Sequence, residues 1–558
     1  MTRKNKSKLE NIKESSNYLR GNLTDELKKD SSYFTKEGLQ LLKFHGTYQQ
    51  DDRDLRNGKD RFYMFMVRIR LPGGRMTSDQ YLVHDEIADI YGNGTLRITT
   101  RQTFQFHGII KDNLQKTIRG INNSLVTTLG ACGDVVRNVM SNPAPDEDGK
   151  QLKIQKVADR LSRLLLPETK AYHELWLNGE KIYSNREEVS QTESLYGKAY
   201  LPRKFKIAIT KPGDNSIDLY TQDIGLVAFF NEKNEIEGFD VIVGGGMGMN
   251  HRKPETYPRL GDHLGYIPCN KLIPLVTSII EIQRDHGDRR NRKHARMKYL
   301  IDDWGFEIFK KEVENKSGFK LEPFKLLPEF TLNLYLGWHK QSDGNWYIGL
   351  PIENGRIKDD GKALVKTGLR NIIRKYNPEV RLTPNQNILL TNIEESDKGL
   401  IEDELKSFGI KLSKEQSNIV KYAMACPALP TCGLAITESE RIFPGILRDL
   451  EKVVEDLGLE NDKITVRMTG CPNGCSRPYV ADIGFVGRSK NKYSVFIGGD
   501  TAGTRLNKKY KDLVDLEDLV DTVQPFLEEY ASNHKNGESF SDYWNRKDPE
   551  SIKDTIPS

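Results

Sequence analysis

No run in the 558-residue chain approaches the roughly 18 consecutive apolar residues of a membrane span, so no membrane partner is expected. The start, MTRKNKSKLENIKESS, has no apolar stretch behind its charges and does not read as a secretory signal; the expected location is the cytoplasm. Charge of one sign is not in excess. Against 84 basic residues stand 79 acidic ones, and a net charge of +5 gives no general reason to expect a nucleic-acid partner. No low-complexity tract dominates, which excludes a mainly disordered chain. Cysteines number only six, and in a reducing compartment they are not expected to form structural disulfides.

What is present is a folded, multidomain composition. Hydrophobic residues make up 37% and charged residues 29%, and the length suggests about three or four domains. Residues 1–61 are polar and are expected to form an irregular arm that wraps other domains. FYMFMVRIRL (62–71) then reads as a strand and PGG (72–74) as a turn. SDQYLVHDEIADIYG (78–92) reads as a helix capped by its Ser and stopped by Gly92, and TLRITTRQTFQFHGI (95–109) as another strand.

A related unit recurs about 280 residues later. WYIGLPIENGRI (346–357), ALVKTGLRNIIRKY (363–376) and VRLTPNQNILLTN (380–392) repeat strand, helix and strand, with Arg97, Thr99 and Gln102 aligned on Arg381, Thr383 and Gln386. QDIGLVAFF and VIVGGGMG (222–230, 241–248) likewise resemble ADIGFVG and VFIGGDTAG (481–487, 495–503). Two matches in the same order predict duplicated, interleaved halves of α+β class. Units 62–129 and 336–411 would pair into one central domain, with 130–335 and 412–558 as two larger α/β domains beside it.

Four of the six cysteines fall within about 50 residues, as C-x5-C in ACPALPTCG (Cys426, Cys432) and C-x3-C in TGCPNGCSRP (Cys471, Cys475). Four thiolates on two Pro- and Gly-rich loops suit a [4Fe–4S] cluster, whose sulfurs gain from backbone N–H groups that glycine lets approach. Structural zinc is the alternative, although zinc pairs usually have spacings of C-x2-C to C-x4-C. Cys132 and Cys269 stand alone and read as small core residues.

Basic residues cluster in four places: Arg68 and Arg70 in VRIRLPGG; Arg97 and Arg101, with Gln105 and His107, in RITTRQTFQFHG; Arg137 with Asn138 in GDVVRNVM; and Arg203, Lys204 and Lys206 in YLPRKFK. Period-two spacing puts Arg68 with Arg70, Gln105 with His107, and Lys204 with Lys206 on common faces. Read singly, each is as well explained by a solvent-facing strand residue. Read together, they can hold an anion-rich ligand set.

C-x5-C followed by C-x3-C resembles the signature of the sirohaem sulfite and nitrite reductases. The resemblance covers almost the whole chain and is closest to haemoprotein subunits of NADPH-dependent sulfite reductases, through SNYLRG, FHGTYQQDDRD, RLPGG, RQTFQFHG, YLPRKFK, VGGG, VRMTGCPNGC and the GTR at 503–505. It implies ferredoxin-like half-domains, two larger sirohaem/Fe–S domains with pseudo-two-fold symmetry, and sirohaem plus a [4Fe–4S] cluster as cofactors. It implies further that Cys475 ligates both cluster and sirohaem iron, that Arg68, Arg137, Lys204 and Lys206 surround sulfite, and that Arg97, Arg101, Gln105, His107, Arg203, Arg296 and Asn473 lie near the sirohaem. GACGDVVRN departs from the family pattern, in which a further polar residue is expected near Val136.

The implied activity is six-electron reduction of sulfite to sulfide in sulfate assimilation and cysteine biosynthesis. VIVGGGMGMNHR is glycine-rich but lacks a βαβ unit with a following acidic residue, so it reads as a loop near a cofactor, and electrons must come from a partner. The resemblance implies that this is an NADPH-dependent flavoprotein subunit. Two other readings stay open on sequence: a sirohaem nitrite reductase, and a non-catalytic Fe–S or zinc protein.

Overall fold

The computed structural model describes residues 6–58, 60–167, 174–177, 180–184 and 193–547. Two pairs of five-stranded sheets organise the chain, and each pair repeats one topology.

In the first pair, Thr47–Asp51, Tyr63–Arg68, Phe104–Ile109 and Leu96–Ile98 lie side by side, and Arg356–Ile357 from the far half completes the sheet. Its counterpart runs Gly337–Lys340, Trp346–Leu350, Ile388–Ile393 and Glu379–Leu382, completed by Arg75–Met76 from the first half. Each half thus lends the other a two-residue strand. One apolar core contains Phe65, Ile87, Phe106 and Ile121 together with Ile348, Leu369, Ile388 and Ile401, so the two units form one body.

The aligned turns show why the sequences match. Gln102 and Gln386 both adopt positive φ (54° and 67°), and each amide N–H returns to the carbonyl three residues back, on Thr99 and Thr383. Gly74 and Gly355 also have positive φ, and a Cβ there would lie 2.3 Å from Leu382 O and 2.4 Å from Ile98 O. Only glycine lets these backbones cross so closely.

The second pair carries the cysteines and many of the cations. Met140–Ser141, Ile207–Thr210 and Ile224–Phe230 run parallel, followed by antiparallel Ile236–Val243 and Asp262–Pro268. Met424–Ala425, Val466–Thr469 and Ile483–Ser489 run parallel in the same way, followed by Lys492–Ile497 and Lys508–Asp515. Each sheet has its own apolar core.

Several expectations need correction. The arm is not irregular: it holds helices Lys8–Ser15, Leu23–Lys28 and Lys36–Leu42, and its strand Thr47–Asp51 joins the first sheet. Residues 1–5, part of the segment read as a non-signal, lie outside the described residues. Helix Ser78–Tyr91 is capped by Thr77 rather than Ser78; Thr77 and Gln80 form a reciprocal capping box, while the Ser78 hydroxyl donates to Pro378 O. Cys269 is exposed at a turn rather than a core residue, whereas Cys132 is fully buried. Among the described residues no helix is long and apolar enough to cross a membrane.

Candidate active site

The two cysteine loops leave the C-terminal ends of neighbouring parallel strands. Cys426 directly follows Met424–Ala425, and Cys471 lies just beyond Val466–Thr469. Cys426 and Cys471 are buried, Cys432 is half-buried and Cys475 is exposed. N–H donors are aimed at the sulfurs: Gly470 N lies 3.5 Å from Cys426 Sγ, and Asn473 Nδ2 lies 3.3 Å from Cys471 Sγ. Burial, followed by the neighbouring thiols Cys475 and Cys471, pushes Cys426 far above the usual thiol range. Burial and Cys475 push Cys471 up to about 12. Thiolates in such a place need positive charge beside them, which an iron cluster supplies.

A tetrahedral Zn²⁺ with Zn–S near 2.3 Å would draw its sulfurs to roughly 3.8 Å from one another. Among the described residues no group of three or more His, Cys, Asp or Glu side chains is disposed to hold a single metal ion. Yet Cys475 acts electrostatically on Cys426, Cys432 and Cys471 alike. Four mutually interacting thiols on two adjacent loops suit a four-iron cluster.

Cys475 also faces a second environment. Its sulfur acts on Arg68 and on Lys204, so one thiol borders both the other cysteines and a basic cavity. The Cys475 carbonyl accepts from Thr100 Oγ1 at 3.1 Å, which ties this loop to the first sheet's turn.

Two zippered segments build the cavity wall. Phe205 N donates to Val135 O (3.1 Å) and Arg137 N donates to Phe205 O (2.8 Å). Phe205 turns inward, so Lys204 and Lys206 share the opposite side, as their spacing predicts. Val136, near which a further polar residue was expected, is fully buried on the bridge to Phe205, which explains an apolar residue there. Arg137 is fixed by Gly133 O at 2.7 Å and Ala131 O at 3.3 Å. Arg68 donates to Cys132 Sγ at 3.4 Å, and Gln105, with its amide oxygen turned toward Arg68, accepts from Arg68 Nε at 3.1 Å. His107 Nε2 lies 3.3 Å from the Gln105 amide. Burial, with Arg356 and Arg97 nearby, keeps His107 neutral.

The electrostatics of the wall are lopsided. Among the described residues the side chains of Arg203, Lys204 and Lys206 make no hydrogen bond or ion pair. Burial, then Arg203 and Arg296, lowers Lys204 to about 7. Burial, then Lys204 and Arg101, lowers Lys206 far below the usual lysine range. Burial and Arg137 take Arg101 down to about 9, and its buried Nε has no partner. Cations crowded against cations at a desolvated surface are costly unless anions join them. A macrocycle bearing many carboxylates and a small oxyanion fit that need.

Other expected residues are already engaged by protein. Arg97 bonds Glu440 (2.9 Å) and Ala425 O (2.9 Å), and so braces the strand leading into Cys426. Arg296 grips Asp223 at 2.9 and 3.0 Å, and Asp223 in turn accepts from Lys206 N at 2.9 Å. Asn473 is directed at Cys471, and Arg70 is spent on Val136 O and Ser162.

Sequence reasoning missed Lys43, Tyr48 and Asp134. Lys43 and Tyr48 lie within FHGTYQQDDRD or beside it, a segment read only as a whole motif. Burial and Arg292 lower Lys43 to about 8, and Arg203 and Cys132 also act on it. Tyr48 is under the influence of Cys132, Arg137 and Arg68.

Comparison with known proteins gives the same picture. Residues 157–321 and 418–556 match the nitrite and sulphite reductase 4Fe-4S domain, and residues 56–124 and 339–408 match the nitrite/sulfite reductase ferredoxin-like half domain. A sulfite reductase [ferredoxin] of Synechococcus elongatus is 46% identical, with 97% of this chain and 89% of that one covered. A sulfite reductase [NADPH] hemoprotein beta-component of Staphylococcus saprophyticus is 44% identical over 96% of this chain and 94% of that one. The solved structure of the Mycobacterium tuberculosis NirA protein shares the fold, with a TM-score of 0.78 at 23% identity over 97% of this chain and 96% of that one. The duplicated half-domains, the cysteine loops and these matches together place the chain in the nitrite and sulfite reductase family.

Proposed function

We propose that this chain is the catalytic haemoprotein of an assimilatory sulfite reductase, which converts sulfite to sulfide. The observation that carries the reading is that both cysteine loops leave the C-terminal ends of adjacent parallel strands, while the Cys475 carbonyl accepts from Thr100, beside Arg101, and the Cys475 thiol acts on Arg68 and Lys204. Cys426, Cys432, Cys471 and Cys475 would hold a [4Fe–4S] cluster, with Cys475 also ligating the sirohaem iron. Arg97, Arg101, Gln105, His107, Arg203, Arg296 and Asn473 are assigned to the macrocycle's surroundings. For Arg97, Arg296 and Asn473 the role runs through Ala425, Asp223 and Cys471 respectively.

Sulfite takes up six electrons and eight protons to give hydrogen sulfide and three waters. Sirohaem and cluster, when bound, supply and relay those electrons. The protein supplies charge and protons. Arg68 and Arg137, fixed by Cys132 and by Gly133 O, offer rigid guanidinium donors to the oxyanion. Lys204 and Lys206, whose side chains have no hydrogen-bond or ion-pair partner among the described residues, would release protons to departing oxygens, and burial with Arg203 and Arg296 nearby lowers Lys204 to about 7.

The electron donor is a separate protein, and an NADPH-dependent flavoprotein subunit fits the motif resemblance and the beta-component relatives. The Synechococcus elongatus relative, named for ferredoxin, makes a ferredoxin the second candidate. A cytoplasmic location is proposed because a reducing compartment keeps thiols available for a cluster. An anaerobic assay with reduced methyl viologen tests the reading. Sulfide from sulfite is expected; turnover of nitrite alone would move the assignment to nitrite reduction, and a colourless zinc protein would overturn it.

A further inference from the structure

The arm helix Lys8–Ser15 carries two charged residues that are almost completely inside the protein, Glu10 at 2% exposure and Lys13 at 0%. A helix that only wrapped a neighbour would bury apolar residues there. These two instead enter an ionic cluster directly behind the basic cavity.

Lys13 Nζ donates to Leu201 O at 2.8 Å and lies 2.5 Å from Glu10 and 3.6 Å from Asp134. Asp134 accepts both Arg292 Nη atoms, at 2.6 and 2.9 Å. Arg292 also donates to Pro202 O at 3.3 Å, and Arg289, paired with Glu10, donates to Tyr200 O at 2.7 Å. Three consecutive carbonyls, on Tyr200, Leu201 and Pro202, are therefore each held by a different cation. The next residues are Arg203 and Lys204. Leu201 N donates to Asp134 O at 3.0 Å, so the same cluster joins the start of both cavity-wall segments, 134–137 and 201–206.

We propose that Lys13, with Glu10 as its counter-charge, is a positioning residue for the anion-binding cations Arg137, Arg203, Lys204 and Lys206. These cations repel one another, and the side chains of Arg203, Lys204 and Lys206 have no hydrogen-bond or ion-pair partner among the described residues, so their backbone must be fixed from behind. Lys13 is the arm's contribution to that brace. Without it, Leu201 O becomes a buried acceptor lacking its cation, and Asp134 and Glu10 are left to Arg292 and Arg289 alone. The inference rests on the sulfite-reducing reading, because it assigns a consequence for that anion.

The test is Lys13→Met in the full, cofactor-loaded chain. Two readouts are needed: hydrogen exchange at the Leu201, Phe205 and Lys206 amides, and kcat and KM for sulfite with reduced methyl viologen. Exchange at those amides is expected to quicken, and kcat/KM to fall by about tenfold, mainly through KM, as for other residues that orient a binding group. Lys13→Arg should recover most of the loss, and Lys8→Met, at an exposed position of the same helix, should change neither readout. If Lys13→Met does not fold, Glu10→Gln carries the same test in the same direction. A lowered melting temperature with unchanged KM and unchanged exchange would overturn the proposal. A wild-type chain that reduced no sulfite would overturn the functional reading instead, and the exchange result would still decide the brace.

Discussion

The two large sheets share a topology but place their chemistry at opposite ends. In the first, Arg137 precedes Met140–Ser141, and Lys204 and Lys206 precede Ile207–Thr210, so the cations stand at the N-terminal ends of two parallel strands. In the second, the cysteines follow Met424–Ala425 and Val466–Thr469, at the C-terminal ends of the equivalent strands. Lys204 feels the Cys475 thiol, so these opposite ends face one another. One half supplies thiolates and the other supplies positive charge. Duplication followed by divergence of the loops is enough to make an asymmetric site from a symmetric frame.

Breaking the cysteine half should have the largest effect. Cys471→Ser removes a buried thiol proposed to hold the cluster, and iron content, acid-labile sulfide and sulfite turnover are all expected to collapse together. Loss of turnover with iron retained would break the comparison.

Breaking the cation half should leave iron in place. Lys206→Met is expected to lower kcat by about 10²–10³-fold, the usual cost of one lost donor at a developing charge. The same change relieves repulsion from Lys204 and Arg101, so the cofactor-free chain should melt at a higher temperature than wild type. Equal losses in both measurements would mean that Lys206 is structural.

Acid sensitivity should differ locally between the halves. Burial alone would raise the Asp134 carboxyl, but Arg292 and Lys13 outweigh it and hold it well below the carboxylate range. A depressed folded-state pKa contributes stability above the unfolded value of about 3.9, and that stability is lost as pH falls below it. Asp134→Asn should therefore lower stability at neutral pH and flatten its loss below about pH 4, as read by melting curves across pH. An unchanged slope would remove Asp134 from the account.

The smallest expected effect compares the two half-domain helices. Ser78–Tyr91 has a capping box, whereas Val365–Tyr376 has no side-chain cap. Thr77→Ala should cost about 1 kcal/mol locally, seen as faster amide exchange in the first turn. Equal exchange in both helices beforehand would make the cap irrelevant.

Much of this was legible in the residues. The repeats at Gln102 and Gln386 reflect matching left-handed turns, and the cysteine spacing singled out two loops that leave adjacent parallel strands. The alternation of Lys204, Phe205 and Lys206 gave the correct face. The ionic brace was not legible, because Glu10, Lys13, Asp134 and Arg292 are scattered over nearly 300 residues and each looks like a surface charge alone. The helical arm was missed because its polar composition hides short helices, one holding the buried ion pair Glu10–Lys13 and the others burying, of apolar side chains, only Leu23, Leu41 and Leu42. Strand exchange between halves was invisible because two-residue strands carry no periodicity.

The central claim is that the cations beside Cys475 bind the substrate anion. Optical titration of sulfite into the wild-type and Lys204→Met holoproteins tests it directly. The account predicts equal iron content and at least about tenfold weaker sulfite binding in the variant, as expected for a lost charge-assisted contact in a desolvated pocket. Unchanged affinity, with the cofactors in place, would contradict it.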